Sequence, residues 1–295
     1  MGGSPVARLM GIEKIAVLGA GLMGNGIAQV AACAGYSVVM IDIKQEYVEA
    51  GLTAIEKSLA RLVAKERMTQ TDADEALALV SVSTEKSAAA DADLVVEAIP
   101  EIPELKFSTF AELDAICKPE AILASNTSSI SINEIAAATK RPDKVIGMHF
   151  FNPPHKVRLL EIIRADQTSE QVVEAVREIG VRMNRELVIV NDSPGFASSR
   201  LGIALGMEAI RMVEQGVAVP EDIDAAMVHG YRHPIGPLRL GDLVGLDVRL
   251  AVGDYLCREL GEEQFRPPAL LRQMVAEGKL GRKSGEGVYI WPDQA

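Results

Sequence analysis

One segment near the start of the chain, Gly19 to Gly24 with the sequence GAGLMG, constrains the fold more than any other. An apolar, β-branched run from Lys14 to Leu18 precedes it and predicts a buried strand. Small apolar residues at helical spacing follow it, and a second apolar run over Ser37 to Ile41 ends at Asp42. A glycine-rich strand-to-helix turn with an acidic residue about 20 positions further on is typical of a dinucleotide-binding unit.

Each glycine of this GxGxxG motif has a physical role. Gly19 allows the tight turn, Gly21 lets the backbone approach a pyrophosphate, and Gly24 lets the helix pack closely on the strand. The pyrophosphate would lie at the helix N-terminus beside Leu22 and Met23, because free N–H groups and the helix dipole favour an anion there. The motif therefore predicts that the chain binds a dinucleotide cofactor.

The acidic residue after the second strand indicates which dinucleotide. Asp42 would accept hydrogen bonds from the ribose hydroxyls, and it would repel the 2′-phosphate that distinguishes NADP from NAD. Lys44 lies two residues further on, and its cation could admit that phosphate. The sequence therefore favours NAD, and Lys44 is the feature that would instead favour NADP.

Composition excludes several classes of partner. The 295 residues carry a net charge of −11 with a pI near 5.0, which argues against nucleic acid and anionic membranes as main partners. The three cysteines are odd in number and far apart, so a disulfide framework is not expected and a reducing cytoplasm fits. No apolar run is long enough to span a membrane, and Met1 to Gly11 lacks the apolar core of a signal peptide.

The pattern along the chain predicts two domains. Strands alternate with helices up to Leu187–Val190, which favours an α/β fold whose N-terminal domain is a doubly wound, Rossmann-type parallel sheet. Among these helices, a long amphipathic one is predicted over Gln45–Arg67, and one with proline in its first turn over Pro103–Ile116. From Pro194 onward apolar residues recur mostly at helical spacing, which predicts a helical C-terminal domain with one possible short strand at Val288–Trp291. The turn-rich stretch around Asn191 marks the boundary. We therefore expect domains over 1–191 and 192–295.

Two further segments are motifs rather than fold signals. One is Ser125-Asn126-Thr127-Ser128-Ser129, and the other is Gly147 to Pro153, with the sequence GMHFFNP, followed by Leu159 to Ile163. Together with the glycine motif they resemble the 3-hydroxyacyl-CoA dehydrogenase family, most closely its short bacterial branch. The resemblance continues through DSPGF at 192–196, HPIGP at 233–237, GLD at 245–247 and GRKSGEG at 281–287, so it covers nearly the whole chain from Lys14.

The resemblance implies an activity, namely oxidation of an L-3-hydroxyacyl-CoA to a 3-ketoacyl-CoA with NAD, or the reverse. It also implies roles for matching positions: His149 and Glu161 match a histidine base and its glutamate partner, and Ser128 matches a serine near the substrate hydroxyl. Further cofactor contacts are implied for Ala98, Glu101, Lys106, Ser128, Asn152 and Lys283. Contacts with coenzyme A are implied for Ser58 and Lys65.

The chain departs from the family pattern at one position. Ser199 stands where the family often has an asparagine that touches the substrate carbonyl. A serine hydroxyl can also donate one hydrogen bond to the carbonyl, but it reaches less far than an asparagine amide.

The residues themselves support this chemistry. Alcohol oxidation needs a proton acceptor, and histidine suits that role because its unperturbed pKa is about 6.5. His149 follows a β-branched strand, where ligands bind in open α/β sheets, and Glu161 on the next strand could fix its tautomer. The alternatives are a half-buried structural histidine, a Glu161 paired with Arg158 or Arg164, and a Ser128 that caps a helix.

Other functions stay open at this point. The chain could be a dehydrogenase of a hydroxy or sugar acid without coenzyme A, or a binding protein that has kept the fold without catalysis. His229 and His233 have the i, i+4 spacing of a metal pair, but Gly230 and Pro234 argue against a continuous helix there, and no metal site is expected.

Dense apolar residues over 201–213 and 240–252 favour a homodimer through the helical domain, although packing within one chain is the alternative.

Overall fold

The computed structural model describes residues 11–292, which form two compact units that meet in sequence between Ser193 and Pro194. The segment from Met1 to Gly11, which the sequence indicates is no signal peptide, lies almost wholly outside the described residues. The strands are β1 Lys14–Leu18, β2 Ser37–Ile41, β3 Val80–Ser83, β4 Leu94–Glu97, β5 Ile122–Ser125, β6 Val145–Phe150, β7 Leu159–Arg164 and β8 Glu186–Asn191. The α-helices of the first unit are α1 Leu22–Cys33, α2 Gln45–Ala64, α3 Gln70–Ala78, α4 Pro103–Ile116, α5 Ile132–Ala137 and α6 Glu170–Arg182.

The first unit is built on one eight-stranded sheet in the order β3-β2-β1-β4-β5-β6-β7-β8. Strand order reverses between β1 and β4, so the chain leaves these two neighbouring strands toward opposite sides of the sheet. In open α/β sheets a crevice forms at the carboxyl ends of the strands at such a switch point. The glycine turn after β1 and Ala98 after β4 both lie at that point.

The sheet differs from the predicted all-parallel arrangement at one strand pair. β6 and β7 run antiparallel, with His149 directly opposite Glu161, while β7 and β8 are again parallel. The eight residues between β6 and β7 are too few for the helical crossover that a parallel pair requires. This short connection brings the two predicted catalytic side chains face to face.

Both faces of the sheet are buried, as expected for a sheet covered by helices. Alternate strand residues such as Val17, Val96 and Met148 pack in one cluster with buried side chains of α1, α2, α3 and α6. The intervening residues, among them Val95 and Leu123, are also fully buried. The strands therefore read as continuous apolar runs in the sequence.

The second unit contains helices α7 Ser198–Glu214, α8 Pro220–Ala225, α9 Pro237–Val244, α10 Leu246–Leu260 and α11 Ala269–Ala276. Its core includes Ile203, Met207, Leu246, Leu256 and Leu271. Within the described residues it has no strand of its own, and its sheet-like pairing is limited to isolated bridges from Gly281 to Glu286 and from Glu286 to Ile290.

The predicted short strand over Val288–Trp291 does not form, and a buried carboxylate explains why. Asp242 accepts hydrogen bonds from the backbone N–H groups of Val288 and Tyr289 and from Nε1 of Trp291, each at 2.9 Å. These amides bond to a side chain instead of a neighbouring strand. A second buried carboxylate, Asp224, accepts the Tyr289 hydroxyl at 2.8 Å. The segment is therefore fixed to the helical unit by side chains.

The predicted helix over 45–67 ends earlier, at Ala64. Glu66 has a φ of 54°, and its neighbour Arg67 donates its backbone N–H to the Leu62 carbonyl at 2.9 Å. A left-handed residue after the last turn is a common way of closing a helix. Lys65 therefore lies at the C-terminal cap of α2.

Candidate active site

The glycine turn has the geometry that a dinucleotide requires. Gly19 has a φ of 96°, and a Cβ atom there would lie 2.5 Å from the Ala98 carbonyl oxygen. A Cβ atom at Gly24 would lie 1.7 Å from the Gly19 carbonyl oxygen, so a side chain at either position would displace the turn. Nothing lies within 4 Å of the corresponding position at Gly21. The backbone at Gly21 is therefore open to a ligand.

The N-terminus of α1 is also suited to an anion. Gly21 is the N-cap residue and supplies no capping side chain, and the first turn contains no acidic residue. Leu22 is exposed at this turn, and Met23 is half-buried beside it. The first N–H groups of a helix have no partner within the helix, so a pyrophosphate can bind to them. These residues fit an NAD molecule.

Asp42 follows β2 at the same edge of the sheet. Its Oδ2 accepts the N–H of Ala20 and its Oδ1 accepts the N–H of Ile43, both at 2.7 Å. These bonds fix the carboxylate beside the glycine turn, and each oxygen has a further lone pair for a ribose hydroxyl. Lys44, which could have admitted a 2′-phosphate, forms an ion pair with Glu46 at 3.3 Å.

His149 and Glu161 form a buried pair on the antiparallel strands β6 and β7. The Nδ1 atom of His149 lies 3.1 Å from Oε2 of Glu161, and Glu161 is only 1% exposed. The ring of Phe151 packs against the imidazole with 4.4 Å between ring centroids. A carboxylate at Nδ1 favours the tautomer that carries its proton there and leaves the lone pair on Nε2.

The sequence alternatives for Glu161 do not form. Arg158 pairs with Glu186 at 3.0 Å, and Arg164 pairs with Glu170 at 2.7 Å. Both arginines bond to carboxylates other than Glu161, so the carboxylate on β7 is directed to the histidine.

A serine-rich loop follows β5 beside this pair. Oε1 of Glu101 accepts the backbone N–H groups of Ser128 and Ser129, at 3.0 and 3.2 Å, and the Thr127 hydroxyl. Burial would raise the pKa of Glu101, but Lys106 and the Thr127 and Ser128 donors outweigh it and hold that pKa below its ordinary value. The carboxylate therefore stays charged and orders the loop.

The loop is joined to the histidine strand by the side chain of Asn126. Asn126 Oδ1 accepts the backbone N–H of Phe150, the residue after His149, at 2.8 Å. The helix cap considered for Ser128 belongs to Ser131, whose hydroxyl accepts the Glu134 N–H at 3.3 Å. Ser128 is not the cap of that helix. Asn152 is exposed two residues beyond the end of β6.

Lys106 belongs to a buried ion pair that the sequence does not reveal. Its ammonium donates to Oε1 of Glu97 at 2.6 Å and lies 3.2 Å from Oε2 of Glu101. Glu97 is fully buried, and it also accepts the Ser125 hydroxyl and the Ile99 N–H, at 2.6 and 2.7 Å. A glutamate at the end of an otherwise apolar strand was the available signal. Lys106 thus holds the ends of β4 and β5 together through Glu97.

The residues matched to coenzyme A contacts lie on α2 of the same unit. Ser58 is half-buried and Lys65 is exposed, and Leu62 lies between them at spacings of four and three residues. Residues at i, i+4 and i+7 share one helix face. The structure therefore places these two side chains on one face of the C-terminal half of α2.

Ser199 and Lys283 lie in the second unit. Ser199 is in the first turn of α7, and Lys283 donates to both oxygens of Asp247 at 2.6 and 2.7 Å. Asp247 is in the first turn of α10, so this ion pair fixes Lys283 within its own unit.

His229 lies in a π-helical turn, Ala226–Gly230, and the helix ends before His233. Over residues 11–292, no three potential ligands group as a metal would require.

Comparison with known proteins places the chain among relatives. The sequence model described as "3-hydroxyacyl-CoA dehydrogenase, NAD binding domain" matches residues 14–193, and that of the family's C-terminal domain matches residues 195–291. The chain belongs to the 3-hydroxyacyl-CoA dehydrogenase family. It is 46% identical over 285 residues to a probable 3-hydroxybutyryl-CoA dehydrogenase of Bacillus subtilis, covering 97% of this chain and 99% of that protein.

Two further relatives in the same family are similar to this chain over nearly its whole length. A probable 3-hydroxybutyryl-CoA dehydrogenase of Deinococcus radiodurans is 48% identical over 277 residues, covering 94% of this chain and 99% of that protein. The crystal structure of (S)-3-hydroxybutyryl-CoA dehydrogenase from Ralstonia eutropha superposes with a TM-score of 0.93 at 43% identity, covering 96% of this chain and all of that one. The α/β fold with a helical C-terminal domain, the NAD-binding domain and membership of an oxidoreductase family are therefore confirmed.

Proposed function

We propose that this chain interconverts a short-chain L-3-hydroxyacyl-CoA, 3-hydroxybutyryl-CoA, and its 3-ketoacyl-CoA with NAD. The observation that carries the proposal is the buried pair of His149 and Glu161, opposite each other on β6 and β7 with 3.1 Å between Nδ1 and Oε2. The names of the relatives support the substrate class.

In this proposal the imidazole moves the proton. His149 accepts the hydroxyl proton at Nε2, and Glu161 stabilises the imidazolium that forms, as the third member of a catalytic triad does. NAD, when bound, supplies the hydride acceptor at the carbon that is oxidised. Burial of Glu161 makes this stabilisation stronger than it would be in water, because a low local dielectric strengthens the attraction between the two charges.

Other residues hold and orient the two ligands. The turn from Gly19 to Gly24 and Asp42 bind the dinucleotide, with Ala98, Glu101, Asn152 and Lys283 as the further cofactor residues. Lys106, matched to a cofactor contact, is 1% exposed and supports the cofactor site through its ion pairs with Glu97 and Glu101. Ser128 and Ser199 act near the substrate oxygens. Glu101 supports this role of Ser128 indirectly. It accepts the backbone N–H of Ser128 at 3.0 Å and so keeps the serine loop in place.

A substrate panel tests the proposal. The purified protein should oxidise NADH with acetoacetyl-CoA and fail to do so with free acetoacetate or with a ketoacid of a sugar, because the proposed function requires a thioester of coenzyme A. Longer 3-ketoacyl-CoAs measure the chain-length preference. Turnover of the free acids at rates similar to the thioester would support the alternative dehydrogenase without coenzyme A and contradict the proposal.

We further infer a cytoplasmic homodimer, assembled through a domain over 192–295, with a dinucleotide-binding domain over 1–191. The three cysteines Cys33, Cys117 and Cys257 are free thiols, which suits a reducing compartment. Leu243, Val244 and Val248 are each more than 40% exposed on consecutive helices, and such a cluster suits an interface. No helix among residues 11–292 is long and apolar enough to cross a membrane.

A further inference from the structure

Arg249 is a cation on α10 of the second unit with no anion to balance it. Its Nε atom is enclosed by the protein without a hydrogen-bond partner, and no carboxylate of the described range 11–292 pairs with it. Burial lowers the pKa of Arg249, and no neighbouring anion offsets that effect. Taking a charge out of water without a partner is costly. An arginine in this state is therefore a candidate ligand-binding residue.

The sequence of α10 explains why the charge has no partner. The residues one turn from Arg249 on the same helix are Gly245 and Leu246 on one side and Val252 and Gly253 on the other, and none is acidic. The nearest acidic residue along α10 is Asp247, and both of its oxygens accept the ammonium of Lys283, at 2.6 and 2.7 Å. The helix therefore offers Arg249 no counter-ion.

The guanidinium lies against α7, at a glycine. A Cβ atom at Gly202 would lie 3.4 Å from Nη1 of Arg249, so a longer side chain at that position would displace the arginine. Glycine in a helix interior lowers stability relative to alanine, yet α7 has one at this contact. A helical side chain covers the turn before its own Cα, and Nη1 occupies the side of Gly202 where such a chain would begin. The guanidinium is therefore beside the first turn of α7, which contains Ser199.

Ser199 is the position at which the chain departs from its family. The family often has an asparagine there that touches the substrate carbonyl, and a serine hydroxyl reaches less far. Residues three apart lie on one helix face, so Ser199 and Gly202 face the same way. A guanidinium carries five N–H donors and a permanent charge. Beside the shortened side chain, the protein thus holds a donor with a longer reach.

We propose that Arg249 donates a hydrogen bond to the C3 oxygen of the substrate and stabilises the negative charge that develops there, in place of the family's asparagine. The proposal rests on the proposed function, in which position 199 acts near the substrate oxygens. When hydride adds to C3 of a 3-ketoacyl-CoA, the electron pair of the C–O π bond moves to oxygen, which takes a proton and becomes the hydroxyl. A charged donor already in place stabilises that oxygen more strongly than it stabilises the neutral ketone.

Replacement of the arginine by methionine tests this role. In Arg249→Met the kcat for reduction of acetoacetyl-CoA should fall by about 10²–10³-fold, the usual effect of removing one such donor, while NADH binding is unchanged. Arg258→Met is the matched control, because Arg258 lies on the same helix, is exposed and pairs with Glu259. Its kcat should equal that of the wild type. An Arg249→Met variant as fast as this control would overturn the proposal.

The family's own residue provides a test that a merely structural arginine would not pass. Adding Ser199→Asn to Arg249→Met returns an amide donor to the substrate carbonyl, and kcat should recover by at least about tenfold, the effect of one hydrogen bond. A double variant no faster than Arg249→Met would show that Arg249 does not act on that oxygen, and would overturn the proposal.

Stability and mass distinguish a substrate ligand from a contact with a second copy of the chain. Because Arg249→Met removes an unpaired charge, the midpoint of urea unfolding should stay the same or rise. Light scattering should give the same mass as for the wild type. A lower midpoint together with a smaller mass would assign Arg249 to a carboxylate of a second copy, and would overturn the proposal.

The two proposals fail separately. If the wild-type protein does not turn over acetoacetyl-CoA, the proposed function is refuted. If the wild type turns it over and Arg249→Met does so equally well, only the role of Arg249 is refuted.

Discussion

Hydrogen bonds from backbone and side-chain donors hold several charged side chains of the first unit in place. Asp42 accepts two backbone N–H groups, and Glu101 accepts several donors from the serine-rich loop. Lys106 donates to the fully buried Glu97. Removing one partner of such a buried pair leaves an uncompensated charge, which typically costs about 3–5 kcal/mol. These residues therefore give the site its shape as well as its chemistry.

Cofactor selection depends on Asp42, and we expect NADH to exceed NADPH in kcat/KM by about a hundredfold, since like charges brought together cost several kcal/mol. The Asp42 carboxylate is fixed beside the glycine turn, where a 2′-phosphate would meet it. Steady-state rates with acetoacetyl-CoA and each reduced cofactor measure the ratio. Comparable efficiencies would mean that Lys44 leaves its ion pair with Glu46 to admit the phosphate.

At the scale of secondary structure elements, sequence patterns located most helices and strands. They did not predict features that depend on a connection or on a distant side chain, namely the direction of β7 and the absence of a strand at Val288–Trp291. The helix Pro103–Ile116 has its predicted bounds, because proline in its first turn fixes where it begins. The antiparallel direction of β7 depends on a short connection, which the hydrophobic pattern of a strand does not encode. The missing strand at Val288–Trp291 depends on Asp242, 46 or more residues away in sequence.

The catalytic motifs can be recognised from the sequence, whereas the buried carboxylates that stabilise the fold cannot. His149 and Glu161 lie in motifs that identify them from sequence alone, and their pairing follows from the strands. Glu97 and Asp242 are single acidic residues in otherwise ordinary segments, and Asp224 is one of three acidic residues within 221–224. Their importance comes from burial, and burial is a property of the folded chain.

The face of α2 with Ser58 and Lys65 leads to a prediction about binding. Lys65→Ala should raise the KM for acetoacetyl-CoA with little change in kcat, because it removes binding that ground and transition states share. The effect should shrink at high salt, since Lys65 is exposed and salt would screen its attraction to a phosphate of coenzyme A. Lys57→Ala, on the same helix but off this face, is the control. A KM that is unchanged at low ionic strength would place coenzyme A elsewhere.

The attachment of the chain's last described segment can be tested by stability. Tyr289→Phe should lower the free energy of unfolding by about 1–3 kcal/mol, because buried Asp224 loses the hydroxyl donor at 2.8 Å. Tyr231→Phe is the control, since Tyr231 is 75% exposed. Urea unfolding of both variants and the wild type measures the difference.

This stability difference should also depend on pH. Burial, with Asp224 next, raises the pKa of Tyr289 well above its ordinary value of about 10. A raised pKa in the folded state stabilises the protein fully below the unfolded pKa and progressively less above it. The gap between wild type and Tyr289→Phe should therefore be constant up to about pH 10 and shrink at higher pH. A gap that grows above that pH would contradict the assigned hydrogen bond.

At the scale of the whole molecule, the two compact units divide the functional residues between them. The glycine turn and the histidine–glutamate pair belong to the first unit, and Ser199 and Lys283 belong to the second. The helical unit also exposes apolar residues on α9 and α10 that its own core does not cover. Sequence predicted this division because the hydrophobic period changes from strand-and-helix alternation to helices alone.

The exposed apolar cluster on α9 and α10 predicts the oligomeric state. Light scattering at micromolar concentration should give twice the chain mass of 31.6 kDa, and Val248→Asp should shift the mass toward that of one chain. Val181→Asp, at an exposed apolar residue of the first unit, should leave the dimer intact. A wild-type mass of one chain would refute the dimer, and dissociation by Val181→Asp alone would assign the interface to the first unit.

The central claim is that His149, held by Glu161, moves the proton in an NAD-dependent reaction of a 3-hydroxyacyl-CoA. The most direct measurement is the steady-state rate of NADH oxidation by acetoacetyl-CoA for the wild type and His149→Gln, with NADH binding followed by its fluorescence. The account predicts that kcat falls by about 10²–10⁴-fold, the usual effect of removing a general acid or base, while NADH binding is nearly unchanged. Near-normal turnover by His149→Gln would show that another residue is the base.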